Sequence, residues 1–127
     1  TSIIGHELKS KLGLLEWFLS SKIKVRGFDN FKYSGLTTLE LQKYILFFLN
    51  KKGLNGIYNI SSKLISKYQL LKIIKKVYCK KIIILKNSTI KKNMVLKTHK
   101  LKNTKIKPQN WQKQIKDLKE FYEKYYK

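Results

Sequence analysis

Apolar positions along the chain recur with two periods. Where they return every three or four residues, the sequence predicts helices over residues 10–21, 38–51, 67–79 and 111–126. Where they alternate with polar positions or gather as β-branched residues, it predicts strands over 1–5, 22–26, 57–60 and 81–86. In the first helix Leu12, Leu15, Phe18 and Leu19 share a face. Leu14 and Trp17 widen that face enough to predict cover on two sides. The third helix carries one stripe, Leu70, Leu71, Ile74, Val77 and Tyr78, with Lys72, Lys75 and Lys76 off it. In the fourth, Trp111, Ile115, Leu118, Tyr122 and Tyr125 repeat at steps of four and three, and Lys113–Asp117, Lys116–Glu120 and Glu120–Lys124 are spaced as outer-face ion pairs. The run of isoleucines and leucine at 82–85 reads as a strand buried on both faces.

Punctuation agrees with these periods. Thr37 or Thr38 is placed to cap the second helix, Glu40 sits in its first turn, and Gly53 follows its end. Ser66 caps the third helix, while Pro108 and Asn110 precede the fourth. Residues 27–36 read as a loop, 87–95 as an irregular polar connection and 97–102 as one helical turn. Of the opening residues Thr1, Ser2, Ile3 and Ile4, all but Ser2 are β-branched, and no cap precedes them, which reads as a strand entering from upstream sequence. Strands and helices alternate through the chain, the order of an α/β fold in one unit of 127 residues.

Charge changes the picture less than its size suggests. The formal net charge is +22 from 29 basic and 7 acidic residues, but Arg26 is the one arginine, so 28 of the 29 are lysine. Alanine is absent and Pro108 is the one proline, while Lys, Ile, Asn, Tyr and Phe abound. AT-rich codons encode the abundant group, so the charge is read as composition. Lysine falls in every segment, and one arginine leaves little for bidentate reading of bases. This argues against a sequence-specific nucleic-acid partner. The apolar run 44–49 is far below the roughly 20 residues that cross a bilayer, so no membrane partner is expected. The lone Cys79 has no disulfide partner within the chain, which suits a cytoplasmic protein, and it reads as a small core residue at a helix end.

Candidate chemistry is sparse. His6, His99 and one cysteine build no metal site, and Asp29 and Asp117 form no evident carboxylate pair. Tyr68 and Lys72 have the Tyr-x-x-x-Lys spacing of a phenol activated by a lysine one turn on. With 8 tyrosines and lysine at 28 of 127 positions (8 × 28/127), about two such matches arise by chance. No glycine-rich loop precedes Tyr68, so no catalytic residue is assigned. The aromatic and lysine residues of 121–127 could offer a stacking surface for single strands, but they also fit the core stripe and end of the last helix.

Four segments in series carry a resemblance. GIYNISSKLISKYQLLKIIKKVYCKKIIIL at 56–85 resembles the late strand, helix and strand of extended short-chain dehydrogenases. TSIIGHE at 1–7 resembles the strand end after the catalytic helix of dTDP-4-dehydrorhamnose reductases and related sugar-nucleotide enzymes. GFDNFKYSGLTTLEL at 27–41 is similar to their substrate-side loop, and LKTHKLKNTKIKPQNW at 96–111 to their closing segment. The resemblance implies the α/β C-terminal lobe of such an enzyme, with residues 1–5 ending a strand of a Rossmann cofactor half that is not in this chain. It implies NADP or NAD as cofactor, held mainly by that half and touched here by Thr1, Ser2 and Ile3, whose other reading is a plain buried strand. It implies a nucleotide-sugar substrate near Gly5, His6, Phe28, Asn30, Ser34 and Gly35, although His6 also reads as a solvated loop histidine. A homodimer is compatible with it. Three positions depart from the pattern: Ile3 replaces an aromatic, Met94 an arginine, and Lys97 an Asp or Asn. The alternatives are a basic nucleic-acid-binding module and a non-catalytic fragment.

Overall fold

In the computed structural model, which describes residues 1–102 and 104–127, short strands and four helices alternate around one main core. The elements are β1 (Ile3–Ile4), α1 (Leu14–Ser20), β2 (Lys24–Phe28), β3 (Phe31–Tyr33), β4 (Leu36–Thr37), α2 (Thr38–Leu49), β5 (Ile65–Ser66), α3 (Lys67–Val77), β6 (Ile83–Asn87), β7 (Lys92–Met94) and α4 (Trp111–Tyr126). A 3₁₀ turn covers His99–Leu101. β1 pairs with β4 in parallel, β2 with β6 in parallel, and β3 lies between antiparallel β5 and parallel β7. The α/β class read from the sequence is the class of the fold.

The helices begin where their caps place them. Thr37 accepts the Glu40 amide at 3.3 Å, Asn110 accepts that of Lys113 at 2.9 Å, and Ser66 with Gln69 closes a capping box at the start of α3. The stripe of α3 (Leu70, Leu71, Ile74) meets that of α4 (Trp111, Ile115, Leu118), with Leu15 and Phe18 of α1 and Val25 of β2 closing the core. A second, smaller cluster gathers Leu36, Tyr44 and Leu101, with Phe47, Phe48, Tyr58 and Ile60 against it. Buried polar groups join the two. Gln114 accepts the Thr37 amide at 3.1 Å and donates to the Gln109 carbonyl at 2.7 Å, and buried Glu40 accepts the Gln109 amide at 2.9 Å. The Trp111 indole donates to the Lys63 carbonyl at 2.7 Å, which ties α4 to the segment before β5.

Several expectations are corrected. Residues 57–60 join no strand among those described. Ile57 is largely exposed, while Tyr58 and Ile60 pack on the second cluster instead of a ladder. The expected loop 27–36 takes in the end of β2, all of β3 and the start of β4, and the polar connection 87–95 contains β7. β6 is not buried on both faces: it belongs to a two-stranded sheet, and Ile83 and Leu85 are exposed while Ile82 turns inward. α1 starts at Leu14, because the Glu7 carboxylate accepts the Ser10 hydroxyl and the Leu12 amide and holds 7–12 in a turn. Leu12 is therefore exposed, and α1 buries one face, through Leu15 and Phe18. On α4 the pairs Lys113–Asp117 and Lys116–Glu120 form, and Lys119–Glu123 is present, whereas Lys124 is found over the Tyr125 ring.

Cys79 is exposed and not a core residue, for a backbone reason. It holds φ +52° just past the end of α3, where its amide donates to the Lys76 carbonyl and that of Lys80 to the Lys75 carbonyl. That pair of bonds is the Schellman closure, whose left-handed position glycine usually fills.

Candidate functional site

The structure brings the expected site residues to four places. At the first, the Leu36 amide donates to the Ser2 carbonyl at 2.9 Å and Ile3 stands in register with Leu36, so Thr1, Ser2, Ile3 and Gly35 lie together. A side chain at Gly35 would run into the Ser2 carbonyl and the Tyr33 hydroxyl, and one at Gly5 would lie 2.5 Å from the Thr38 methyl. Both glycines thus permit close approach of β1 to β4 and the start of α2. Ser34 is buried beside them, its hydroxyl accepting the Leu96 amide at 3.0 Å and its carbonyl the Ser62 amide at 2.9 Å. Tyr33 packs on Trp111 with ring centroids 5.7 Å apart, and burial pushes its phenol well above the usual tyrosine value.

His6 lies elsewhere and is not a solvated loop histidine: its side chain is 6% exposed. Nδ1 is 2.7 Å from Glu16 and Nε2 is 2.8 Å from the Tyr78 hydroxyl, while the ring stacks on Tyr122 at 3.7 Å. A carboxylate only accepts, so Nδ1–H donates to Glu16. Burial first, then Glu123 and Glu16, hold the Tyr78 phenol above its usual value, so it stays protonated and donates to Nε2. The cluster ties the segment after β1 to α1, α3 and α4.

Phe28 marks the third place, a cavity of about 360 Å³ between α1, β2 and the start of α3. Trp17 and Phe28 give it two aromatic walls, Arg26 and Lys67 two cations, and Leu14 and Leu71 an apolar floor, with Leu12 at its edge. Arg26 and Phe28 are two apart on β2 and so share a face, while Val25 turns into the core. The Lys67 ammonium sits 4.0 Å from the centre of the Phe31 ring. Burial, and then neighbouring Lys92, pull it below the usual lysine value. Two aromatic faces beside two cations suit a flat ring joined to an anionic group. Asn30 is outside this cavity: its amide donates to the Ser88 carbonyl at 3.0 Å in an exposed turn. Beside it the Lys86 ammonium, 3.0 Å from Asp29, holds that carboxyl below the usual range.

Of the cavity, sequence reading reached Phe28 alone. Arg26 carried a usable signal, as the one arginine in a chain of lysines. Trp17 widens the apolar face of α1 in the sequence, yet it stays 41% exposed and lines the cavity. Tyr68 and Lys72 make a cation–π contact, Lys72 Nζ lying 5.6 Å from the ring centre. Among the described residues no helix is long and apolar enough to cross a membrane, and no group of three or more His, Cys, Asp or Glu gathers at metal-binding distance.

Neither a protein-family model nor a curated protein matches the chain. Solved structures do match it. dTDP-4-dehydrorhamnose reductase from Bacillus anthracis, solved with NADP, aligns with a TM-score of 0.78 at 16% identity, over 94% of this chain and 45% of that one. The orthologue from Clostridium acetobutylicum gives 0.77 at 13% identity, over 95% and 46%. UDP-N-acetylglucosamine 4-epimerase from Bacillus cereus gives 0.72 at 13% identity, over 95% and 45%. The chain thus spans less than half the length of each structure it matches. At such identities the likeness is one of fold, and the fold is that of the C-terminal part of the extended short-chain dehydrogenases, the family that the sequence resembles.

Proposed function

We propose that this chain is the substrate-side lobe of an NAD(P)-dependent sugar-nucleotide reductase or epimerase, one like a dTDP-4-dehydrorhamnose reductase. The carrying observation is the cavity in which Trp17 and Phe28 stand beside Arg26 and Lys67. The aromatic walls stack the base, and the cations meet the diphosphate. An anion there also relieves Lys67, whose charge is disfavoured by burial and by Lys92.

The nicotinamide, when bound, supplies the hydride, and the residues of this chain fit it in part. Ile3 is 54% exposed at the end of β1 and offers apolar surface to the ring. Thr1 and Ser2 flank it, but the chain has no glycine-rich loop to cradle a pyrophosphate. The lobe accordingly binds and orients substrate and assigns no proton donor to its own residues, so alone it turns over no keto-sugar. The exposed Ile45, Leu46 and Leu49 on α2 suit cover by a cofactor half. A cytoplasmic location and a homodimer accompany this reading.

Calorimetry with dTDP-glucose tests it, with glucose as the comparison. The nucleotide sugar should bind and glucose should not. Arg26→Gln should raise Kd about tenfold or more, the loss of one charge-assisted hydrogen bond. Equal binding of dTDP-glucose by wild type and both Arg26→Gln and Phe28→Ala would overturn the assignment.

A further inference from the structure

Residues 41–116 contain 20 lysines and no Asp or Glu. A bias toward AT-rich codons favours lysine over arginine, but glutamate and aspartate codons are themselves mostly A and T. Composition alone therefore leaves the missing acids unexplained. The lysines are also gathered in space. One cavity, of about 430 Å³, is lined by Lys72, Lys75 and Lys76 of α3 and by Lys80 just past its end. A second, of about 290 Å³, continues from it past Lys32 and Lys86. The two share Tyr68 and Lys72 and so make one trough. Asp29 is the acid among their linings, and it is already tied to Lys86 at 3.0 Å. Among the described residues no carboxylate pairs with Lys72, Lys75, Lys76 or Lys80.

We propose that this trough binds the phosphodiester backbone of single-stranded nucleic acid without reading its sequence. The ammonium groups of Lys72, Lys75 and Lys76 on one face of α3, with Lys80 just past its end on the Leu19 carbonyl, have no carboxylate partner and match a row of phosphates, and the Tyr68 ring at the junction offers a base a stacking surface. Single strands suit a trough lined by lysines and a tyrosine. A bilayer does not, because the apolar stripe of α3 (Leu70, Leu71, Ile74) is turned into the core, so the helix that carries the lysines has no apolar face to insert. Lysine ammoniums lack the fork that reads base edges, so binding is blind to sequence. The trough is separate from the Trp17–Phe28 cavity, and the inference does not depend on that assignment.

Anisotropy of a fluorescein-labelled dT15 across salt concentrations tests it. Each phosphate neutralised on a single strand contributes about −0.7 to the slope of log K against log salt, so four lysines give about −3. That slope is an affinity loss of about 50-fold between about 50 and 200 mM salt. Lys72→Gln/Lys75→Gln/Lys76→Gln should flatten the slope by about 2. Lys51→Gln/Lys52→Gln/Lys100→Gln makes the same charge change outside both cavities and should leave the slope in place. If the triple variant fails to fold by circular dichroism, Lys76→Gln alone should flatten the slope by about 0.7. No binding by wild type at low salt, or equal losses in the two triple variants, would overturn the proposal. So would vesicles rich in phosphatidylserine binding more tightly than dT15 through the same lysines.

Discussion

Gly35→Ala is the substitution to which the β1–β4 junction is most exposed. The new methyl would fall against the Ser2 carbonyl oxygen and the Tyr33 hydroxyl. Neither can step aside cheaply. The Ser2 carbonyl is main chain already accepting the Leu36 amide at 2.9 Å, and Tyr33 is buried against Trp111. Forcing a methyl into packed space costs about 1–3 kcal/mol. Losing the Ser2–Leu36 bond adds about 1 kcal/mol, so the expected cost is about 2–4 kcal/mol. That is a large share of the roughly 5–15 kcal/mol that holds a domain folded. Gly53→Ala is the internal comparison. It has open space around it but φ +76°, so only backbone strain acts, at about 1 kcal/mol. Urea unfolding followed by circular dichroism would measure both, read from midpoints at constant m. If Gly35→Ala costs no more than Gly53→Ala, the close packing of β1 on β4 is not what places Thr1, Ser2 and Ile3.

Two further outcomes follow from local chemistry. Cys79→Gly should stabilise the chain by about 0.5–1 kcal/mol, because φ +52° strains a side chain and suits glycine, less the extra freedom of glycine when unfolded; a lower urea midpoint would refute it. Burial holds the phenols of Tyr33 and Tyr78 above the usual value, and burial with Glu40 pushes Tyr44 up to about 12. Their folded values exceed the unfolded value of about 10. The stability they contribute is therefore whole below about pH 10 and is lost above it, as the unfolded chain releases protons that the folded chain keeps. Tyrosinate absorbance should show three of the 8 tyrosines titrating late, together with loss of near-ultraviolet dichroism; one step near pH 10 with the dichroism intact would contradict it.

Helices were legible because their signals are local. Thr37, Ser66 and Asn110 cap where their side chains reach an amide three residues on, whatever the rest of the chain does. β3, β4, β5 and β7 are two or three residues long, too short for a period of two to register. The 57–60 segment had the pattern of a strand and lacked the neighbour that makes one, a fact of tertiary structure. Cys79 was misread because side-chain size is visible in a sequence and a positive φ is not. At the candidate site, resemblance reached Phe28 by position. Trp17, Arg26 and Lys67 come from three elements whose meeting no linear pattern encodes. His6 likewise finds Glu16, Tyr78 and Tyr122 through three helices or their ends.

Amide chemical-shift mapping of the isotope-labelled protein during titration with dTDP-glucose tests the central claim most directly. The account expects shifts that grow to saturation and centre on residues 12–17, 26–28 and 67–71, the three segments that line the aromatic and cationic cavity. Saturable shifts centred instead on residues 72–80, or none at millimolar ligand, would contradict it.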